Sequence, residues 1–471
     1  MPMPNLRLIL AAGLLAATSL ATPGLCAATA PSGPASGAVV VRGELGAKLD
    51  AIVTNAEKQG FHGVVLVAQG GEETLVKGYG VANHTSSTKF SPSTIIQIGS
   101  GVKDFTKIAI FQLVERGKLA LADPVSKFFP AAPADKRDIT IDQLLEHRAG
   151  FPLGIGQDSE PLTKPQFLDR LFATKLEFAP GSAEEYSNAG YALLAAIVEQ
   201  ATTEPFDAYV AREICTPAGL VETGFLVPHF DLARVAHGYI GAADHGTMFD
   251  QPHSAEGHDW NLRGNGGYLS TVREQLRFYR SLTGNTLLQD PAHRERVLNH
   301  QGPVVLAGSD NISFFLFANF PVAGIEVVLA TNHADWKAPR LMRQLEPALG
   351  VGGPPPGATK STGKTLPDTG AGRTVAAYFA AFNGGDDAKM QQFFAERSEP
   401  NPNSPTPEKR LEMYHRMRGD FGKLTITSVA ETTVGIEVAV QGEHGEPARL
   451  TFMLQPTEPF KLRGIRVELG N

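Results

Sequence analysis

Residues 96–110 read IQIGSGVKDFTKIAI. A serine follows a glycine, a lysine comes three residues later, and apolar residues then recur at helical spacing. Positions three apart on a helix are neighbours, so the Ser100 hydroxyl and the Lys103 amine share a face. The positive end of a helix also helps an adjacent group become anionic. A serine hydroxyl is a weak nucleophile that needs a base within hydrogen-bond reach. A lysine can be that base if burial lowers its pKa from about 10.4 towards 7, a shift of roughly 4 kcal/mol. The pair therefore reads as a candidate nucleophile with its base. The same S-x-x-K spacing recurs at Ser86/Lys89 and Ser361/Lys364, but only Ser100 opens an apolar-periodic helix directly after a strand-like run.

Upstream of this stretch, residues 45–59 carry an amphipathic helical pattern. GVVLVAQGG and EETLVKGYGVAN then read as two strands turning at Gly70-Gly71. Downstream, helical patterns dominate to about residue 284, including 103–116, 141–147 and 189–202. ISFFLFANFPVAGIEVVLATN returns to two strands, so the ends of this segment are expected to pair in one sheet around a helical middle. Residues 351–372 have the Gly/Pro/Thr-rich composition of a linker. Beyond them, helical patterns at 373–383, 388–395 and 407–418 precede four alternating strands. The expected organisation is a leader at 1–28, a main domain at 44–350, the linker, and a small α+β domain at 373–471.

A net charge of −7 without any Lys/Arg block argues against a nucleic-acid partner. The N-terminal stretch sets Arg7 before an apolar run from Leu8 to Leu20, then Pro23-Gly24 and small residues. That is the layout of a secretory signal cleaved near Ala27 or Ala28, and the run falls short of the roughly 20 residues that span a bilayer. The expected location is thus periplasmic or secreted, with no integral span after cleavage. Cleavage would leave Cys215 alone, so no internal disulfide is available, and that cysteine reads as core packing. The 13 histidines offer no H-E-x-x-H, and His253, His258-Asp259 and His333 read as loop residues, so neither metal nor cofactor is expected.

A second element, Tyr186-Ser187-Asn188, precedes another helical pattern and is the only Y-x-N among nine tyrosines. A loop tyrosine could share the base role, with the asparagine amide holding a substrate carbonyl. Alternatively the tyrosine packs at a helix start and Asn188 is its cap. The glycines of GNGG at 264–267 read as a close approach of backbone beside the site.

Together these motifs, with ITIDQLLEHRAGFP, GNGGYLST and VVLATN in order, make residues 45–349 resemble the serine β-lactamase and penicillin-binding-protein family in its class C, esterase-like branch. The resemblance implies an α/β (α+β) architecture: an antiparallel sheet with helices on both faces plus a helical subdomain. It implies Ser100 as the acylated nucleophile, Lys103 and Tyr186 in proton transfer, and Asn188 orienting substrate. The family's third motif, a Lys or His, a small residue and Gly, falls on Leu306-Ala307-Gly308, with the Ser309 N–H completing an oxyanion hole. The cation is missing there. His300-Gln301-Gly302 spells an H-x-G too far upstream, and Ser309-Asp310-Asn311 imitates another branch's motif by coincidence. Residues 373–471 resemble NTF2-like cone-shaped α+β modules, which implies a scaffold or partner-docking role.

The expected function is an exported serine hydrolase acting on small ester, amide or peptide substrates, esterase-like before amidase-like. Without a cation at Leu306, substrates bearing a carboxylate are disfavoured. The alternatives are a weakly catalytic or non-catalytic sensor of peptidoglycan fragments, and a D-alanyl-D-alanine carboxypeptidase or β-lactamase.

Overall fold

The run GVVLVAQ is apolar at nearly every position because its strand is covered on both faces. Val64, Leu66 and Ala68 enter one hydrophobic core while Val65 and Val67 enter another, and all five are fully buried. The computed structural model that establishes this describes residues 37–225, 228–252, 257–298, 304–310, 312–334, 337–351, 364–399, 406–432, 435–444, 447–455 and 458–469. The expected leader, most of the linker with Ser361, and His253 lie outside the described residues, as do His300-Gln301-Gly302 and Asn311.

Six strands form the central antiparallel sheet: β1 (Val40–Val41), β2 (Gly63–Gln69), β3 (Glu72–Tyr79), β4 (Val304–Ser309), β5 (Phe314–Phe320) and β6 (Ile325–Thr331). Their spatial order is β1-β3-β2-β6-β5-β4. Strands β2 and β6 pair with Val65 opposite Leu329, so the two ends of the segment do meet in one sheet. On one face, α1 (Gly43–Lys58) contributes Leu49 and Val53 to the core beneath β2 and β6. On the other face lie α2 (Val102–Glu115), α3 (Asn188–Thr202) and α4 (Val272–Thr283). A further helix, α5 (Lys337–Leu349), returns to the first face through Leu341 and Leu345.

Helix α2 is the axis of the second face. It is buried on all sides from Val102 to Phe111 save at Lys107, which explains a pattern more apolar than amphipathic. Phe105 stacks on Phe278 of α4 with ring centroids 4.0 Å apart. The chain enters α2 through a short ladder, Ile96–Gln97 against Leu269–Ser270, followed by a single 3-10 turn over Gly99–Gly101. Ser100 therefore sits on a tight turn ahead of α2 rather than within its first helical turn.

Edge strand β4 is pressed against that turn. A Cβ added to Gly308 would lie 2.2 Å from the Ile98 carbonyl oxygen and 2.9 Å from the Ser100 nitrogen, a space that only glycine leaves open. Gly99 has φ +48°, and a Cβ there would meet the Ser309 nitrogen at 2.6 Å. Two glycines thus let β4 and the serine turn meet backbone to backbone.

Residues 370–469 form a separate sheet with helices of their own: α6 (Gly370–Gly384), α7 (Asp387–Arg397) and α8 (Pro407–Phe421). The sheet is β7 (Leu424–Thr432), β8 (Gly435–Gly442), β9 (Pro447–Leu454) and β10 (Leu462–Leu469), antiparallel in that order. Burial alternates strictly along β8 and β9, and Tyr378, Phe382, Phe393 and Phe452 centre a core of its own. Among the described residues no helix is long and apolar enough to cross a membrane.

Gly308→Ala is expected to lower stability by about 1–3 kcal/mol, because the methyl must displace backbone. The reading is a lower urea midpoint at unchanged slope. Ala307→Ser, on the exposed side of the same strand, is expected to change it by less than about 0.5 kcal/mol.

Candidate active site

Two groups converge on one oxygen at the turn before α2. Lys103 Nζ lies 3.1 Å from Ser100 Oγ, and the Tyr186 hydroxyl donates to the same atom at 2.7 Å. The amine also donates to the Asn265 carbonyl at 2.9 Å, while Thr106 Oγ1 on the next turn of α2 donates to the Gly264 carbonyl at 2.6 Å. The GNGG segment is therefore fastened along α2 as a backbone cradle, as its glycines imply.

Lys103 is only 5% exposed. Burial is the chief cause of its pKa falling to about 7; Lys107 lowers it further, and Asp158 and Asp104 act the other way. An amine so placed is substantially neutral near pH 7 and carries a lone pair able to take a proton. Tyr186 moves in the opposite direction. Its residue surface is 43% exposed, yet its hydroxyl is withdrawn into the site, and desolvation raises its pKa against the opposing effect of the bond to Ser100. Tyr186 thus keeps its proton at neutral pH. Of the two groups on Ser100 Oγ, one is a poised acceptor and the other a standing donor.

The tyrosine is held by a residue that sequence reasoning did not single out. His147 follows the short helix Ile141–Leu145 with φ +53°. Its carbonyl accepts from the Glu185 N–H at 3.0 Å and its Nδ1 from the Ser187 N–H at 3.1 Å, so both neighbours of Tyr186 are tied to it. The two rings lie 4.6 Å apart. Burial, with Lys103 and Lys107 nearby, drives the His147 pKa down to about 4, so the ring is neutral with its proton on Nε2.

Asn188 does not cap α3. Ser187 does, accepting from the Gly190 N–H at 3.0 Å, which leaves the asparagine side chain to the cleft. Asn188 Oδ1 is buried with no hydrogen-bond partner among the described residues. It lines a cleft of ≈ 430 Å³ together with Ser100, Asp158, Asn265 and Ser309. Leu306 lies on the same side of β4 as Gly308, half-buried against the core around α2. Asp310 accepts from the Ser313 N–H at 2.8 Å and the Ser313 hydroxyl at 2.7 Å, so its resemblance to another motif reflects a turn into β5.

Other candidates fall away on geometry. Ser86 is exposed and bonded to Thr88. Asp259 pairs with Arg263 at 2.5 Å. Burial pushes the Cys215 thiol up to about 12. The fold does gather His62, His84 and His333, with ring nitrogens within 4.8 Å of one another. His62 Nδ1 already accepts the Val81 N–H at 3.0 Å, so its other nitrogen carries the proton and neither offers a spare lone pair.

The sequence profile of the Beta-lactamase family matches residues 49–393. The chain belongs to the beta-lactamase family. Penicillin-binding protein 4* of Bacillus subtilis is 28% identical over 290 residues, covering 58% of this chain and 63% of that protein. The chain spans less than two thirds of the length of the curated relatives it matches first. Among solved structures, the penicillin binding protein from Bacillus halodurans aligns with a TM-score of 0.54 at 25% identity, over 64% of this chain and 99% of that one. The D-amino acid amidase from Ochrobactrum anthropi SV3 shares the fold with a TM-score of 0.55 at 19% identity, over 65% and 99%.

Two outcomes follow from this geometry. A base must be neutral to accept a proton, so kcat/KM for an uncharged ester is expected to rise with pH through about 7, where Lys103 deprotonates. A pH–rate profile checks this, and a profile flat down to about pH 5 contradicts it. His147→Ala is expected to lower kcat by roughly tenfold to a hundredfold by releasing Tyr186, with a smaller change in KM.

Proposed function

We propose that this chain is an exported serine hydrolase that forms an acyl-enzyme at Ser100 on small esters or amides. The observation that carries the reading is a serine oxygen contacted by a buried amine of pKa about 7 at 3.1 Å and by a protonated tyrosine at 2.7 Å. As Ser100 Oγ attacks the substrate carbonyl carbon, Lys103 Nζ takes its proton. The carbonyl oxygen becomes an oxyanion, for which the backbone N–H groups of Ser100 and Ser309 are the proposed donors; support comes from the backbone-to-backbone approach of β4 and the serine turn. Tyr186 gives its proton to the leaving group as the C–O or C–N bond breaks, and is reprotonated by the Lys103 ammonium. Water then repeats the cycle on the acyl-enzyme.

Membership of the family supports this chemistry, and Leu306 narrows it. A leucine cannot clamp a substrate carboxylate, so uncharged esters fit better than carboxylate-bearing β-lactams or D-alanyl-D-alanine stems. Leu306 also favours the second reading, a peptidoglycan-fragment sensor that kept the pocket with little turnover.

The two readings part on one experiment. The protein is treated with a fluorophosphonate and weighed intact, and hydrolysis of a nitrophenyl ester is followed beside Ser100→Ala. One adduct, absent in the variant, with turnover at least about a thousandfold lower there, supports the hydrolase. No adduct and no variant-sensitive turnover favours the sensor.

A further inference from the structure

We propose that the cleft beside Ser100 selects substrates carrying an ammonium group, which pairs with the Asp158 carboxylate. This rests on the hydrolase reading above and names its substrate class. Among the described residues lining the cleft there is no lysine or arginine; the acids are Asp158 and Asp310, and the only basic side chain is His245. The one lysine at the catalytic oxygen, Lys103, is the buried amine already committed to Ser100 and Asn265. Asp310 Oδ1 is committed to the turn into β5, accepting from Ser313 and from the Ile312 N–H, and its Oδ2 is buried without a hydrogen-bond partner among the described residues. Asp158 is the acid of the cleft that is exposed to solvent.

Asp158 forms no hydrogen bond or ion pair with any described side chain. Its neighbour Glu160, two residues on, is clasped by Arg170 at 2.8 and 2.9 Å. The loop itself is braced on both sides of Asp158. Asn261 Nδ2 donates to the Gln157 carbonyl at 2.7 Å, and the Arg170–Glu160 pair holds the other side. An exposed carboxylate on a braced loop at the rim of the cleft, with no lysine or arginine among the described lining residues, is open to a cation that arrives with the substrate. The buried, unpartnered Asn188 Oδ1 adds a second acceptor in the same cleft, one that an ammonium N–H or an adjacent amide N–H would satisfy. Asp158 is exposed to solvent, and its packed surroundings raise its pKa while Lys103 lowers it. A substrate carboxylate would meet the reverse: an acid and an acceptor, with no lysine or arginine among the described lining residues to offset them.

The plainer role for Asp158 is to tune Lys103 through space, and the test separates the two. Two pairs of activated esters are compared, each pair matched in shape, one member ending in trimethylammonium and the other in tert-butyl. One pair carries the group on the acyl chain and the other on the alcohol. The expected result is a kcat/KM preference of about tenfold or more for the cation in at least one pair. That preference should fall to near unity in Asp158→Asn and return in Asp158→Glu, at pH values above and below 7 alike. A simple tuning role would shift the pH profile of both members equally and leave their ratio unchanged, which overturns the proposal. So does a cation preference that survives Asp158→Asn, or its absence from both pairs while the tert-butyl esters still show Ser100-dependent turnover. Absence of any Ser100-dependent turnover overturns the hydrolase reading and this one with it.

Discussion

The Lys103 amine has to be kept dry, and much of the architecture follows from that requirement. An ammonium taken from water into a packed interior loses several kcal/mol of hydration, so a lysine held there gives up its proton more readily. The helix that carries it must accordingly be wrapped on every side. α3 and α4 pack around α2, the sheet closes over it, and the 264–265 carbonyls accept from its polar side chains. Tyr186 and Tyr191 add ring faces 4.8 and 5.7 Å from the amine. These faces shelter it while tolerating the charge that returns when it takes a proton.

The second constraint is steric. Placing the serine turn against an edge strand needs backbone to touch backbone, and side chains at 99 or 308 would hold the two apart. The same strand carries Leu306 on the side of Gly308, half-buried against the core around α2.

Much of this was legible in the sequence because the chemistry is local. Ser100 and Lys103 are three residues apart, Tyr186 and Asn188 two apart, and each pair falls at a helix start, where geometry follows from spacing. The pairing of the sheet's two ends was legible from strands buried on both faces, whose runs are apolar without a break. What remained hidden depends on contacts between distant segments. His147 looks like one more polar residue at a helix end, and only the fold sets it beside Tyr186. Asp158 lies in a loop with no periodicity to read, and His62, His84 and His333 are scattered along the chain. The cap of α3 was open to misreading because adjacent Ser187 and Asn188 are both good caps. Only the direction of the Ser187 side chain decides between them.

The pairing of β2 with β6 also bears on when the molecule becomes competent. Ser100, Asn265 and Ser309 come from early, middle and late parts of the main segment, and the sheet that aligns them closes only once β6 is present. Contacts of such long sequence separation form slowly, after much of the chain has been ordered. A growing chain therefore carries its serine and lysine as far as Ile325–Thr331 without the strand that completes their setting. The site is assembled only when the sheet closes.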